Sequence, residues 1–342
     1  MIDWASSYSC EWRLFRVDER TWADAELVDG LVSASVRTDC SGTAPELVSG
    51  SLSVRGESWE PGHYRLSVAA RQDGQTERAD ICTLLCERSG TGREISKTMA
   101  VSGLGVLHPA STVQVALGSH VRKGDDGAEA VARLLMGSVR APVSVEGAFT
   151  LDEHFVFTPG QSVLEAAWGL LEAAGFCIQV WGDGTVHILP RPTEPALSLE
   201  WANAKLLLPR ISSSLGISDA KNRYVAVEGG YQEVAENYDQ GIGSYASRGY
   251  WNSEYDDSPV RINGETLATY ASRMLKKLSV AENSYSYERR FIPGVSPFDL
   301  VRSSQSTLGT DSDLRVQSQQ IECGTGIKVS ETSVEEVQTW AA

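Results

Sequence analysis

Hydrophobic and polar residues alternate with a period of two through most of the first hundred positions. Ser9 to Val17 carries Trp12, Leu14 and Phe15, and Leu31 to Arg37, Gly50 to Arg55, Tyr64 to Ala70 and Ala79 to Glu87 repeat the pattern. Turn-forming pairs stand between these runs: Asp29-Gly30, Ser41-Gly42, Pro61-Gly62, Asp73-Gly74 and Ser89-Gly90. Strict alternation bounded by Gly, Pro and Asp predicts half-buried strands. Several short strands at this spacing predict a small antiparallel barrel or sandwich.

The period lengthens in the middle of the chain. From Asp126 to Met136, Val131, Leu134 and Leu135 form a stripe; Asp126 is placed to cap, Glu129 follows three residues on, and Gly137 ends the run. The strongest helical pattern is Thr158 to Ala174. Thr158 and Gln161 match a capping box, Pro159 takes the first helical position, and Val163, Leu164, Ala167, Leu170, Leu171 and Ala174 share a face. Gly175 stands where a left-handed cap belongs. Phe176 to Trp181 and Thr185 to Leu189 then flank Gly182-Asp183-Gly184, which predicts a hairpin over 176–189. Pro190, Pro192 and Pro195 break the pattern and predict a linker.

Beyond it, Arg223 to Glu228 reads as a strand. Gly229 to Asp257 reads as a long connection with six acidic residues and one basic residue, Arg248. It holds Tyr231, Tyr238, Tyr245, Tyr250, Trp251 and Tyr255, and long connections of this kind are often functional. A helix is expected over 263–278 with Asn263 as its cap. Ser284 to Ile292, Leu300 to Ser304, Leu314 to Glu322 and Ile327 to Thr332 read as closing strands. The expected division is 1–95, a first β domain; 96–200, mixed α/β domains; and 201–342, a second β domain with the Tyr-rich acidic insertion.

The totals narrow the function. The chain has 342 residues, 42% hydrophobic and 22% charged, enough for several buried cores. Its net charge of -15 opposes stable, sequence-specific nucleic-acid binding. Six cysteines (Cys10, Cys40, Cys82, Cys86, Cys177, Cys323) are too sparse for a disulfide framework, and Cys82 and Cys86 read as buried structural thiols on one strand face. The first residues show no basic segment followed by an apolar run, and no run of about eighteen apolar residues occurs, so neither a signal peptide nor a membrane span is expected.

Candidate chemistry is thin. His63, His108, His120, His154 and His187 each stand apart from other ligand-type residues; Glu153-His154 is the one acid–histidine neighbour pair. The sequence holds no Walker loop, nucleophile elbow, dinucleotide fingerprint or H-E-x-x-H. Asp125-Asp126 and Asp256-Asp257 read as caps or solvated loops ahead of cation ligands. Nine tryptophans are many for this length; Trp168 and Trp181 read as core or interface residues, and Tyr250-Trp251 as packing or a contact surface. No catalytic, cofactor-binding or metal-ligating residue is assigned, and an enzyme is not expected.

The order of four segments resembles a known family. These are Thr158-Pro159-Gly160-Gln161 before the helix ending Ala173-Ala174-Gly175; the hairpin Val180 to Ile188; Asn222 to Val227; and the helix through Ala271 to Leu278, a strand, and Pro293 to Val301. Together they resemble the tail hub, or baseplate hub, proteins of bacteriophages, a fold that also begins the spike of type VI secretion systems. The resemblance implies a β-rich α+β chain: two small antiparallel β-barrels of the tail-tube type with mixed α/β domains between them. It implies a homotrimer in the virion, assembled in the host cytoplasm, that adapts a sixfold tail tube to a threefold tip and lets DNA pass through its centre. Implied partners are the tail tube or distal tail protein, the tape measure protein, and tip, spike or fibre proteins. Many relatives continue into a lysozyme, peptidase or needle, whereas this sequence stops at Thr339-Trp340-Ala341-Ala342, so any such activity is expected on another polypeptide. Host-surface carbohydrate binding and cell-wall hydrolysis stand as alternatives.

Overall fold

In the computed structural model of the chain, both ends of the sequence enter one sheet. Residues 2–4, 6–40, 47–56, 59–88, 98–200, 212–305, 310–324 and 327–338 are described. The predicted turns Ser41-Gly42 and Ser89-Gly90 lie outside them. Seven strands come first: β1 (Ser9–Val17), β2 (Asp24–Val28), β3 (Leu31–Asp39), β4 (Leu47–Arg55), β5 (Gly62–Gln72), β6 (Gln75–Arg88) and β7 (Thr98–Gly105). A mixed stretch follows, with α1 (His108–Thr112), β8 (His120–Val121), α2 (Gly127–Met136), β9 (Val143–Val145), β10 (Phe155–Val156), α3 (Val163–Ala173), β11 (Phe176–Val180) and β12 (Val186–Pro190). The rest comprises β13 (Pro195–Glu200), β14 (Ser212–Gly216), β15 (Arg223–Glu228), β16 (Tyr231–Glu236), α4 (Tyr245–Arg248), β17 (Ser253–Asp256), α5 (Leu267–Leu278), β18 (Val280–Arg290), β19 (Leu300–Gln305), β20 (Thr310–Cys323) and β21 (Ile327–Gln338).

Thirteen strands share the main sheet, along the path β14-β18-β21-β20-β3-β4-β7-β6-β5-β1-β2, with β19 on β20 and β13 on β19. Two lobes are legible in it. The first curls around its own core: Leu14, Val36, Leu52, Leu66, Leu84 and Val101 come from six different strands and pack together. The second gathers Tyr285, Tyr287, Val301, Leu314 and Val316. Among the described residues no backbone pairing closes either lobe, so the expected pair of separate barrels is here one continuous β-rich sheet. The cause lies in β20. Its first half pairs with β19 through Arg315, its register slips between Val316 and Ser318, and Ser318 to Cys323 then pair with β3. A bulge of this kind lets one strand leave one partner and take another. Ile2 and Trp4 fill the seam beside Val68, Phe291, Ile321 and Val329, drawn from both lobes.

The second lobe holds a buried charge network. Arg289 on β18 and Glu331 on β21 leave 1% and 0% of their side chains exposed. Glu331 Oε2 accepts from Arg289 Nε at 2.8 Å, from Arg289 Nη2 at 2.6 Å and from Gln319 Nε2 at 2.9 Å. The Tyr287 hydroxyl donates to its other oxygen and is pushed far up by burial. Each ion thus carries several charge-assisted bonds in place of water.

In the mixed stretch, α2 and α3 pack on the sheet β11-β12-β9 around Val131, Leu135, Leu164, Leu171, Ile178 and Ile188. The expected helix 158–174 begins later than its sequence suggested. Gly160 has φ +85°, which no helix accepts, and Gln161 donates to the Thr158 carbonyl in a turn. The capping box is Ser162 with Glu165: Ser162 Oγ accepts from Glu165 N at 3.2 Å, and Glu165 Oε2 accepts from Ser162 N at 2.9 Å. Gly175, at φ +75°, follows the helix as expected. Asn263 is not the cap of the third helix. It has φ +54° and accepts from Thr150 N at 3.0 Å, while Thr266 Oγ1 caps α5. Gly229 to Asp257 is likewise not a connection. Gly229 and Gly230, both with positive φ, turn β15 into β16, and β17 adds in parallel on the far side of β15. Tyr224 and Ala226 of this small sheet face Tyr270, Ala271 and Leu275 of α5.

Replacing Glu331 with Gln leaves Arg289 as an uncompensated buried cation. The expected loss is about 3–5 kcal/mol in chemical denaturation, and it should shrink when Arg289→Met is added. A gentler prediction concerns the seam. Glu77 accepts from Ile2 N at 2.9 Å and from Trp4 Nε1 at 3.3 Å, and the first bond above all holds its carboxyl below the usual range. A lowered folded value means the stabilisation is present above the unfolded value of about 4.3 and is lost as pH falls through the folded one. Hydrogen exchange should show the Ile2 amide losing protection on acidification, and Glu77→Gln should remove the pH dependence.

Candidate functional site

Two places draw polar chemistry together: a buried junction between layers and an exposed sheet face. The hairpin tip Gly182-Asp183-Gly184 plugs into the first lobe. The Asp183 carbonyl accepts from Trp22 Nε1 at 2.9 Å and from Arg65 Nη2 at 2.8 Å, and Thr83 Oγ1 donates to the Gly182 carbonyl at 3.1 Å. Arg65 is 6% exposed and is neutralised by Asp24 at 2.7 Å. Gly182 sits so close that a Cβ there would overlap the Asp80 carbonyl oxygen.

The same hairpin also meets the second lobe, close to its tip. Gln179 Nε2 donates to the Pro297 carbonyl and to Asp299 Oδ1, both at 2.9 Å, and Trp168 packs on Phe298 with ring centroids 5.4 Å apart. Burial raises the Asp299 carboxyl, opposed by donors from Ser296 N and Gln179. Trp22 and Phe298, the aromatic anchors of these two contacts, both adopt positive φ, at +57° and +73°. A bulky side chain there costs on the order of 1–3 kcal/mol, sustained by the contacts around it. A cavity of about 530 Å³ lies between the contacts, lined by Ile81, Thr83, Gln179, Trp181, Phe291 and Asp299 among others. The Asp299 oxygens already accept from Gln179 and Ser296, so this junction reads as a joint between layers.

The exposed face belongs to the sheet β16-β15-β17. Val234, Val225 and Tyr255 lie directly opposite one another across its three strands. They sit on the face away from α5, with Tyr255 64% and Val234 37% exposed. One row along, Arg223 pairs with Glu236 at 3.1 Å and lies over the Trp251 ring at 5.7 Å. Trp251 packs on Tyr245 at 4.6 Å, and Tyr245 stacks on Tyr238 at 5.4 Å. The apolar row thus continues into an aromatic cluster, rimmed by the exposed acids Glu236, Asp239 and Asp257. Aromatic and aliphatic groups held together in water mark a contact surface.

The residues weighed from sequence fall elsewhere or into structural roles. Asp126 caps α2, accepting from Ala128 N at 2.9 Å. Asp256 accepts from Tyr224 and Tyr270 hydroxyls at 2.7 and 2.6 Å, and burial pushes the Tyr270 hydroxyl up to about 12. His63 meets Glu19 at 2.8 Å; His187 stacks on Trp181 at 3.6 Å with Glu146 3.3 Å away. His154 Nδ1 accepts from Lys123 N, and His120 lies against the Gly118 carbonyl. Glu153 pairs with Arg261 at 3.0 Å. All six cysteines are free, with Cys82 and Cys86 buried. Among the described residues no group of three His, Cys, Asp or Glu could hold a metal ion, and no helix is long and apolar enough to cross a membrane. Sequence reasoning missed Arg65, Gln179 and the Val234–Val225–Tyr255 row. The run Tyr224-Val225-Ala226-Val227, apolar on both strand faces, was the available signal for a second contact surface.

No protein-family profile matches the sequence, and no curated protein does either. The fold has counterparts among solved structures. A tail protein from Neisseria meningitidis MC58 is similar over 98% of both chains, with a TM-score of 0.65 at 14% identity. A prophage MuSo2 tail protein from Shewanella oneidensis matches over 95% of this chain and 98% of its own, with a TM-score of 0.58 at 13% identity. The prophage tail protein gp18 from Listeria monocytogenes EGD-e covers 94% of both chains, with a TM-score of 0.53 at 10% identity. The chain therefore has the fold of phage tail proteins, in keeping with the resemblance seen in its sequence.

A bulky side chain at the hairpin tip tests the junction. Gly182→Val should expel the tip from the Asp80–Thr83 surface. Fast hydrogen exchange over residues 181–185 and the loss of several °C in Tm are the expected readouts.

Proposed function

We propose that this chain is a structural hub of a phage tail tip or baseplate. The observation that carries the reading is the tail-protein fold over nearly the whole chain, from the first lobe to the last. The internal arrangement supports it. Each chain contains two β-lobes, each with its own core; the first is antiparallel and the second mixed, with β13 parallel to β19. Three copies would supply six such lobes, the number needed to seat a threefold ring on a sixfold tube. In that reading the two lobes act as tube-type domains, the first running through β7 and the second taking in β13, with the mixed stretch between them bracing both through the hairpin tip and Gln179.

The ring would join the tail tube or distal tail protein above it, and the tape measure and tip, spike or fibre proteins below. Three chains of net charge -15 would make an acidic collar. Phosphates passing through it would be repelled from the wall and slide without adhering. The role is mechanical, in a virion, with any cleavage of cell wall left to other chains.

Light scattering on the purified protein should give a mass three times that of one chain, and negative-stain images a flat ring with an open centre. A monomer at every accessible concentration, or clearing of host cell wall in a zymogram, would overturn the reading.

A further inference from the structure

The exposed face on β16-β15-β17 has a complementary surface on the same chain, placed where it cannot reach it. That surface is the C-terminal end of α2. Arg133 and Met136, three residues apart on the helix, share one side, and Arg140 follows just beyond Gly137. All three are exposed, Met136 by 52%. Arg133 and Arg140 have no acidic partner within ion-pairing distance among the described residues, as is also true of the exposed Arg20, Arg55 and Arg122, whereas Arg37, Arg71 and Arg78 are paired. The helix C-terminus favours cations but does not neutralise them.

The aromatic face is the chemical converse. An apolar centre, Val225, Val234 and Tyr255, is bordered by Asp239 and Asp257, exposed acids likewise without an ion-pair partner among the described residues. Its rings already hold guanidinium groups: Arg223 lies over Trp251 at 5.7 Å and Arg248 over Tyr250 at 5.9 Å. Tyr238 and Tyr255 remain exposed, with no guanidinium over them among the described residues. Such rings and carboxylates favour an incoming arginine.

Within one chain the two surfaces are kept apart. α5 covers the inner face of the small sheet, and α5 in turn meets the end of α3: Arg273 Nη1 donates to the Ala173 carbonyl at 2.5 Å and Lys277 pairs with Glu172 at 3.2 Å. The mixed stretch, α2 included, therefore stands behind α5, and the outer face looks the other way. Two acidic faces cannot pair with each other without like-charge repulsion, so a symmetric contact is disfavoured.

We infer that the aromatic, acid-rimmed face of one copy seats on the Arg133–Met136–Arg140 end of α2 in a second copy. The contact is head-to-tail, which propagates around a ring when its rotation closes. It rests on the hub reading for its biological setting and supplies the subunit contact that reading lacks. Met136 would enter the apolar row while the two guanidiniums meet Asp239, Asp257 and the exposed tyrosine rings.

Charge reversal on each side tests it, with self-association followed by sedimentation velocity. Arg133→Glu with Arg140→Glu, or Asp239→Lys with Asp257→Lys, should each weaken association by on the order of a hundredfold or more. All four substitutions in one chain should restore much of it, because every contact then pairs reversed with reversed. Tyr255→Ser, which touches no charge, should also weaken association, and wild-type association should fall with rising salt. All four sites are exposed, so circular dichroism and Tm should stay close to wild type. If wild type self-associates and neither reversal changes it, this contact is wrong and the hub reading stands. If association is lost in each reversal and not regained in the fourfold variant, the pairing of these two faces is overturned. If wild type never self-associates, both fall.

Discussion

The ladder between β3 and β20 is the constraint on which the architecture depends. Val36 pairs with Ile321 and Ala34 with Cys323, so the sheet is carried from one lobe to the other by residues from opposite ends of the chain. Besides it, the lobes share the plug of Ile2 and Trp4, the contacts of the mixed stretch, and bonds such as Cys40 N to the Gln317 carbonyl and Trp12 Nε1 to the Gly324 carbonyl. With it they are two curves of a single hydrogen-bonded surface. The irregularity between Val316 and Ser318 makes this possible, because it frees the second half of β20 from β19 and gives it to β3. Fixing the lobes in this way also fixes where the hairpin β11–β12 must land.

The tip region of that hairpin touches both lobes. One contact uses backbone carbonyls at the glycine-rich tip, recognised by the buried Arg65 and by Trp22; the other uses the Gln179 amide, beside the tip, against the loop carrying Phe298 and Asp299. Both contacts are polar and their donors Trp22, Arg65 and Gln179 are buried, a setting in which each lost partner is expensive. Backbone strain at Trp22 and Phe298 fits the same picture, since neither residue would hold a left-handed conformation without neighbours to keep it there. The outer face of the small sheet, by contrast, stays open to solvent at Val234 and Tyr255.

Much of this was readable in the pattern of the chain. Alternation located β1, β3, β4, β5 and β6 of the first lobe and missed β2 and β7, and it also found β15, β18, β19, β20 and β21. The hairpin at Gly182-Asp183-Gly184 followed from local turn chemistry, and Gly175 from the left-handed cap. Errors arose where two local signals competed. Thr158 and Ser162 both precede a suitable residue three positions on, and only the positive φ of Gly160 decides between them. Asn263 looked like a cap because asparagine suits both a cap and a left-handed turn. The segment Gly229 to Asp257 was read as a connection because its strands are short and acidic; packing on α5, invisible in local composition, makes them a sheet. The joining of two lobes into one sheet depends on pairing between distant strands, which no periodicity encodes. Arg289 and Glu331 were passed over for the same reason: each looks like surface charge until the other is set beside it.

The pairing of the thirty-sixth residue with the three hundred and twenty-first also has a cost during synthesis. At ribosomal speeds of ~5–20 residues per second, β3 emerges roughly 15–60 s before the strand that covers it. Throughout that interval a nearly finished lobe presents a bare strand edge, the kind of template on which nascent chains aggregate or exchange segments. Crowded translation on one messenger would place several such edges side by side. Chaperone dependence during expression, and a gain in soluble yield at slow growth temperature, are natural corollaries of a sheet whose middle joins an early strand to one of the last to leave the tunnel.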